Sequence, residues 1–241
     1  MIEVPDPVIR RHDGILVVRD DLVEGGSKMR FLPQVVAGAS EIVYGAPFCG
    51  GAPWALSVYG RRAGVRVTLF YARRDRARWH GRQRAAEANG ATIVEVPYGY
   101  MTNVQAKARA YAESSGAVFL PLGFDVADAR APFVESMSRV RARVGDPDQV
   151  WCASGSGMLA RCLGVAFPES EIRAVAVGLR SRWSAQTFPP NVSVVECPLP
   201  FERQTRDLAP FSSCGNYDRK AWAACVRDGM GRRLFWNVAG E

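Results

Sequence analysis

An α/β fold built on mostly parallel sheets is predicted by two features of this sequence. Short β-branched runs alternate with longer helix-compatible segments along nearly the whole chain, and two glycine-rich loops follow strands and open helices. The 48% hydrophobic content of the 241 residues supports a substantial core and excludes a disordered chain.

The elements follow in order. Residues 15–18 read as a strand, and a helix is expected from the Gly25-Gly26-Ser27-Lys28 turn to about Ala39. Residues 41–44 form a short strand, which ends in a small-residue loop and a helix over 53–63. A strand over 65–71, an arginine-rich helix and a strand over 91–96 come next. Helices over 103–115 and 129–144 flank a strand at 118–120. Residues 150–152 are a strand running into Ser154-Gly155-Ser156-Gly157 and a helix over 158–166. A strand at 172–177 precedes a Pro- and Ser-rich stretch, 180–206, that reads as irregular. A helix over 217–228 and a strand over 234–238 close the chain.

Composition bounds the function. No apolar run reaches the roughly 18 residues that span a bilayer, and the N-terminus has neither the basic nor the apolar region of a secretory signal, so a cytoplasmic protein with no membrane partner is expected. Six scattered cysteines without CxxC spacing point to a reducing compartment and no metal site. Two histidines, His12 and His80, make a His-based triad or zinc site unexpected.

Three features carry chemistry. Among 31 basic residues only Lys28, Lys107 and Lys220 are lysines, and Lys28 follows two glycines. At a helix N-terminus the dipole would favour its neutral, nucleophilic amine. The alternative is a surface lysine at a helix start. The Ser154–Gly157 loop offers small residues and two hydroxyls to an anion at a helix N-terminus, or is a structural tight turn. It lacks the Lys-Ser/Thr ending of a P-loop. Part of the +7 net charge lies in Arg73, Arg74, Arg76, Arg78, Arg82 and Arg84, which form either a solvated helix face or a patch for phosphates and nucleic acid.

Taken together, these stretches resemble the fold-type II pyridoxal-phosphate enzymes of the tryptophan synthase beta superfamily, closest to the D-cysteine desulfhydrase and aminocyclopropane-carboxylate deaminase branch. Arg19-Asp20-Asp21-Leu22 followed by Gly25-Gly26-Ser27-Lys28-Met29-Arg30 is similar to that branch's opening motif. Ser154-Gly155-Ser156-Gly157-Met158 resembles its phosphate cup. Leu120-Pro121-Leu122-Gly123-Phe124, Asn216-Tyr217-Asp218-Arg219-Lys220 and the strand at 234–238 resemble three further segments in register. The resemblance implies two lobes of mostly parallel twisted sheets flanked by helices, residues 1–41 plus 116–241 and residues 42–115, with a cofactor cleft between them. It implies pyridoxal 5'-phosphate as cofactor, Lys28 as the Schiff-base and catalytic lysine, Ser154, Gly155, Ser156, Gly157 and Met158 as phosphate ligands, and commonly a homodimer.

The departures from that pattern bear on the reaction. Gly51 stands where an asparagine would contact the cofactor, so the substrate loop becomes Cys49-Gly50-Gly51-Ala52 with Trp54 after it. Gly123-Phe124-Asp125 replaces a Gly-Gly-Ser, and Ala209 or Pro210 stands where the pyridine nitrogen's acidic partner belongs. Tyr98 either lines the cleft or ends a strand. Apolar Phe48, Pro53 and Trp54 would desolvate a substrate carboxylate, which favours decarboxylation. With the arginines as phosphate contacts, the sequence resembles pyridoxal-phosphate enzymes of phage thymidine hypermodification. That resemblance implies a lyase decarboxylating an amino acid attached to modified thymine in double-stranded DNA, in a host cytoplasm. The alternatives are a deaminase, β-elimination lyase or racemase acting on a free small amino acid, and a non-catalytic binding protein.

Overall fold

The computed structural model describes residues 2–97, 99–178 and 188–240. In chain order the elements are β1 (Ile9–His12), β2 (Ile15–Arg19), α1 (Leu32–Val35), β3 (Glu41–Gly45), α2 (Gly51–Ala63), β4 (Arg66–Ala72), α3 (Gly81–Ala88), β5 (Thr92–Val96), α4 (Met101–Ser115) and β6 (Val118–Leu120). They continue as α5 (Ala127–Val144), β7 (Gln149–Ser154), α6 (Met158–Ala166), β8 (Glu171–Ala176), β9 (Val192–Glu196), α7 (Asp218–Asp228) and β10 (Arg233–Asn237). The chain divides into two compact units, Met1–Val4 with Phe31–Ala129 and Pro5–Arg30 with Arg130–Glu241. The smaller unit therefore extends beyond the expected 42–115 at both ends. One reason is the ladder: β6 pairs with β3, which ties residues 118–120 to that sheet.

The unit of residues 31–129 holds a four-stranded, wholly parallel sheet in the order β5-β4-β3-β6. Its strands carry the β-branched runs expected of a sheet covered on both faces. Helix α4 presents Val104, Ala108 and Ala112, at helical i, i+4, i+8 spacing, to Val43, Phe70 and Val96. His80, without a role in the sequence, is the N-cap of α3. Its Nδ1 accepts the Arg82 backbone N–H at 3.2 Å, and its own N–H donates to Gln83 Oε1 at 3.1 Å.

The other unit holds six strands in the order β1-β2-β10-β7-β8-β9, parallel except for β1. The last strand inserts between β2 and β7, far from either in sequence. Helix α7 packs Ala221, Trp222 and Cys225 on Ile15, Val17, Trp151 and Phe235, with Phe211 edge-on to Trp222 at 4.9 Å.

Three expectations are corrected. The helix after Lys28 does not form: Gly26–Arg30 is a 3-10 turn and α1 has only four residues, with Pro33 in its first turn. The arginine-rich segment is not one helix, because it divides among the end of β4, a 3-10 turn at Arg76–Arg78 and the short α3. The stretch 180–206 contains the strand β9, and β1 precedes the first expected strand. Both are half-exposed edge strands; β1 carries few apolar residues, and β9, although rich in valine, lies in a Pro-rich stretch.

The six cysteines are free thiols, and of these only Cys197 is partly exposed. Burial pushes the Cys225 thiol up to about 12 and also raises that of Cys152. The reactive species is the thiolate. A thiol reagent at about pH 8 is therefore expected to modify one residue, Cys197, rapidly in the native protein, the other five reacting only on unfolding. Two or more fast thiols, counted by absorbance, would contradict this packing.

Candidate active site

In the unit of residues 5–30 and 130–241, the strands β2, β10, β7 and β8 run parallel, so the loops that leave their carboxyl ends share one edge. That edge is where open α/β sheets bind ligands. The Lys28 turn follows β2 and the Ser154–Gly157 loop follows β7. These strands flank β10 in the sheet; with strands about 4.8 Å apart they lie on the order of 10 Å from each other.

The Lys28 turn is held by a buried carboxylate. Asp20 is 0% exposed. Arg30 Nε donates to its two oxygens at 2.9 and 3.0 Å, and a terminal nitrogen of the same guanidinium makes a further ion pair. Ser27 Oγ donates to Asp20 at 2.6 Å, and the Trp236 indole N–H reaches Asp20 at 3.1 Å. Ser27 N–H also donates to the Val238 carbonyl at 2.9 Å. Gly26 has φ +72°, and a Cβ there would lie 2.5 Å from that carbonyl oxygen, so no other residue fits. Lys28 is thus half-buried between anchored Ser27 and fully buried Met29. Of the other lysines, Lys107 is exposed on α4 and Lys220 donates to the Pro200 carbonyl at 2.8 Å. No helix dipole acts on Lys28; rigid support is what singles it out.

The second loop is a close-fitting cradle. A Cβ on Gly155 would touch the Tyr217 ring at 3.4 Å, and one on Gly178 would meet the Gly155 backbone at 2.8 Å. Gly157 caps α6 in the left-handed region and has no side chain to accept from the helix amides, while the Ser156 hydroxyl takes the Met158 N–H at 3.5 Å. Ser154, 1% exposed, has an Oγ with no hydrogen-bond partner among the described residues. Buried hydroxyls are normally paired. An orphan hydroxyl, glycine backbone and a helix N-terminus make a donor set that fits the phosphate of pyridoxal 5'-phosphate. Met158 opens α6 and is buried.

Tyr217 belongs to this site and was not singled out from the sequence. Its hydroxyl accepts the Gly155 N–H at 2.9 Å. Burial and then the charge of Asp218 hold its phenol above the ordinary range, so it stays protonated. Its signal was the Asn216-Tyr217 pair within a segment read only as a motif. Ala209, one of the two residues expected at the place of the pyridine nitrogen's acidic partner, packs against the core.

In the unit of residues 31–129, Gly50 is the N-cap of α2 and Gly51 through Trp54 its first turn. Cys49 and Ala52 are buried. A Cβ on Gly51 would lie 2.7 Å from a terminal nitrogen of Arg82, whose guanidinium is 5.9 Å from the Trp54 ring. Arg82 therefore occupies the space that an asparagine side chain at 51 would enter. Arg74 lies over the Phe48 ring at 3.6 Å. Phe124, expected to meet substrate, is instead fully buried, edge-on to Phe31 and Tyr44, with φ +59°. It anchors a strained loop, while the following Asp125 is half-buried. Tyr98 lies outside the described residues.

The six arginines have separate surroundings. Arg73 pairs with Glu95 at 3.7 Å and Arg76 with Glu87 at 2.8 Å, while Arg84 donates to the Arg76 carbonyl. Arg78 is exposed. Removing the Asp20 carboxylate strands the Arg30 charge in the core. Asp20→Ala is expected to cost about 3–5 kcal/mol in a urea unfolding titration. A cost under about 1 kcal/mol, the level of an exposed pair, would show that this pair does not hold the turn.

A sequence search of curated proteins found no match. Among solved structures, an ACC deaminase homologue superposes with a TM-score of 0.81 at 14% identity, covering 98% of this chain and 89% of that one. A T.th. threonine deaminase gives 0.70 at 15%, with 98% and 92% covered. A pyridoxal 5'-phosphate-dependent aspartate racemase gives 0.70 at 12%, with 98% and 90% covered. At these identities the likeness is one of fold. The family described as pyridoxal-phosphate dependent enzyme matches residues 33–228, most of the chain, and the chain belongs to that family of enzymes.

Proposed function

We propose that the chain is a pyridoxal-phosphate-dependent lyase acting at the Cα of a free amino acid, with the substrate's carboxylate retained. The observation that carries this reading is Arg82 against the first turn of α2. A guanidinium there, with Arg74 over Phe48, gives the substrate loop a fork for a carboxylate. Desolvation by Phe48, Pro53 and Trp54, the ground for expecting decarboxylation, loses its premise in a loop with cations beside it. The DNA-borne substrate rested on an arginine face, and Arg73 and Arg76 of that group are engaged by carboxylates.

Bound cofactor supplies an electron sink for the charge left at Cα when one of its bonds breaks. The chain's own residues do the rest. Lys28 holds the cofactor and then carries a proton at Nζ. Ser154, Gly155, Ser156 and Gly157 grip the phosphate, and Tyr217 fixes the Gly155 amide. Arg82 orients the substrate by its carboxylate.

With cofactor added, the purified protein is expected to show a visible absorbance band that Lys28→Ala abolishes, and borohydride treatment to leave the cofactor attached at Lys28 by mass spectrometry. The same variant should lose about 10²- to 10⁴-fold in kcat. Arg82→Gln should raise KM for the amino acid about ten- to a hundredfold, with kcat changed much less. Carboxyl-labelled substrate should keep its label in the product, and release of the label as carbon dioxide would sink this reading in favour of decarboxylation.

A further inference from the structure

At the opposite edge of the six-stranded sheet, where β2 and β10 begin, lies a pocket of about 550 Å³, within the size range of small-molecule sites. Four arginines line it: Arg11 on β1, Arg143 near the end of α5, and Arg232 and Arg233 at the start of β10. A neutral carbonyl holds each guanidinium. Arg11 donates to Gly14 O at 3.0 Å, Arg143 to Pro7 O at 2.6 Å, Arg233 to Cys225 O at 3.0 Å, and Arg232 to Asp146 O. Among the described residues none of the four pairs with a carboxylate. Of the nearby acids, Asp146 is gripped by Arg141 at 2.7 and 2.9 Å, while Asp148 accepts the Arg232 backbone N–H at 2.6 Å and keeps its charge beside the pocket.

Arginines held by carbonyls occur elsewhere too, Arg62 on Glu3 O and Arg84 on Arg76 O; what distinguishes these four is that they line one pocket. Arg19, Arg30, Arg66, Arg141 and Arg173 all lie against carboxylates. Four cations around one pocket outnumber the carboxylate beside them, Asp148, and repel one another, a cost that an anionic ligand removes. Guanidinium forks match phosphate oxygens two at a time. Four of them suit a chain of phosphates better than a single carboxylate. Ile9, Leu16, Val144 and Pro147 supply an apolar wall beside them. The five residues of β2 separate this edge from the cofactor edge, a span of roughly 16 Å, so the two sites are distinct.

We infer that this pocket binds a polyphosphate chain, borne by a nucleoside triphosphate or by inorganic polyphosphate. The test uses protein saturated with pyridoxal 5'-phosphate, so that the cofactor's own phosphate site is filled. ATP and inorganic tripolyphosphate are titrated separately by calorimetry at about 0.15 M salt. One-to-one binding is expected. Arg143→Gln and Arg232→Gln, both at exposed side chains, should each weaken it at least tenfold while leaving the visible cofactor band unchanged. Lys107→Gln, on exposed α4, should leave the affinity as it was. Tighter binding of ATP assigns the nucleotide and its base to the apolar wall; equal affinities assign the inorganic chain. The proposal falls if neither probe binds up to about 1 mM, if the arginine variants bind as the parent does, or if duplex DNA binds and both small probes fail.

Discussion

The carboxylate of Asp20 is the constraint on which the lysine depends. Fully buried, it collects donors from Arg30, Ser27 and Trp236, two from the lysine turn and one from the far end of the sequence. Arg30 ends the lysine turn, Ser27 adjoins the lysine, and Trp236 sits on the last strand. An isolated carboxylate in such a place would be strongly disfavoured. Surrounded this way it becomes a fixed point, and a network with every member satisfied is stiff. The flexible four-carbon stem of Lys28 thus starts from a backbone that does not move. Asp21 repeats the arrangement one residue on, taking the Arg19 fork at 2.8 and 2.7 Å and Asn237 at 2.7 Å. Both acids tie the end of β2 to the end of β10.

In the function proposed above, cofactor anchoring and substrate recognition use different physics. The anchor is built from backbone: glycines that allow close approach, a helix start, and a phenol that fixes one amide. The substrate loop relies on side chains, since Gly51 contributes no contact of its own and Arg82 enters the space it leaves. The solved structures that share this fold include a threonine deaminase and an aspartate racemase. A constant backbone cradle with a changeable set of side chains is a physical basis for such variety on one scaffold.

Much of the fold was legible in the sequence because the parallel strands are β-branched runs covered on both faces, and their signal is local. Lys28 and the Ser154–Gly157 loop were legible for a similar reason, each being a contiguous stretch with unusual composition. The illegible part is non-local. The helix expected after Lys28 is replaced by a turn because contacts with Asp20 and Val238 outweigh local propensity, and Pro33 confines α1 to a single turn. Arg82 counts as one of six similar arginines in the sequence; only the packing of α3 beside α2 sets it against Gly51. Tyr217 reaches Gly155 across 62 positions. The edge strand β1 was missed because it carries few apolar residues, and β9, although rich in valine, because it lies in a Pro-rich stretch.

The position of β10 also affects how the protein is made. The strand that fills the gap between β2 and β7 follows both of them in sequence, so it leaves a ribosome after them. Until it arrives, β2 has no parallel neighbour in its sheet and Asp20 lacks the indole of Trp236. Contacts of such long sequence separation form slowly and leave strand edges open meanwhile. The nascent chain therefore carries a Lys28 turn that is not fully clamped until β10 has emerged. The lysine is set in place only as the sheet closes, which couples the order of this edge to the completion of folding.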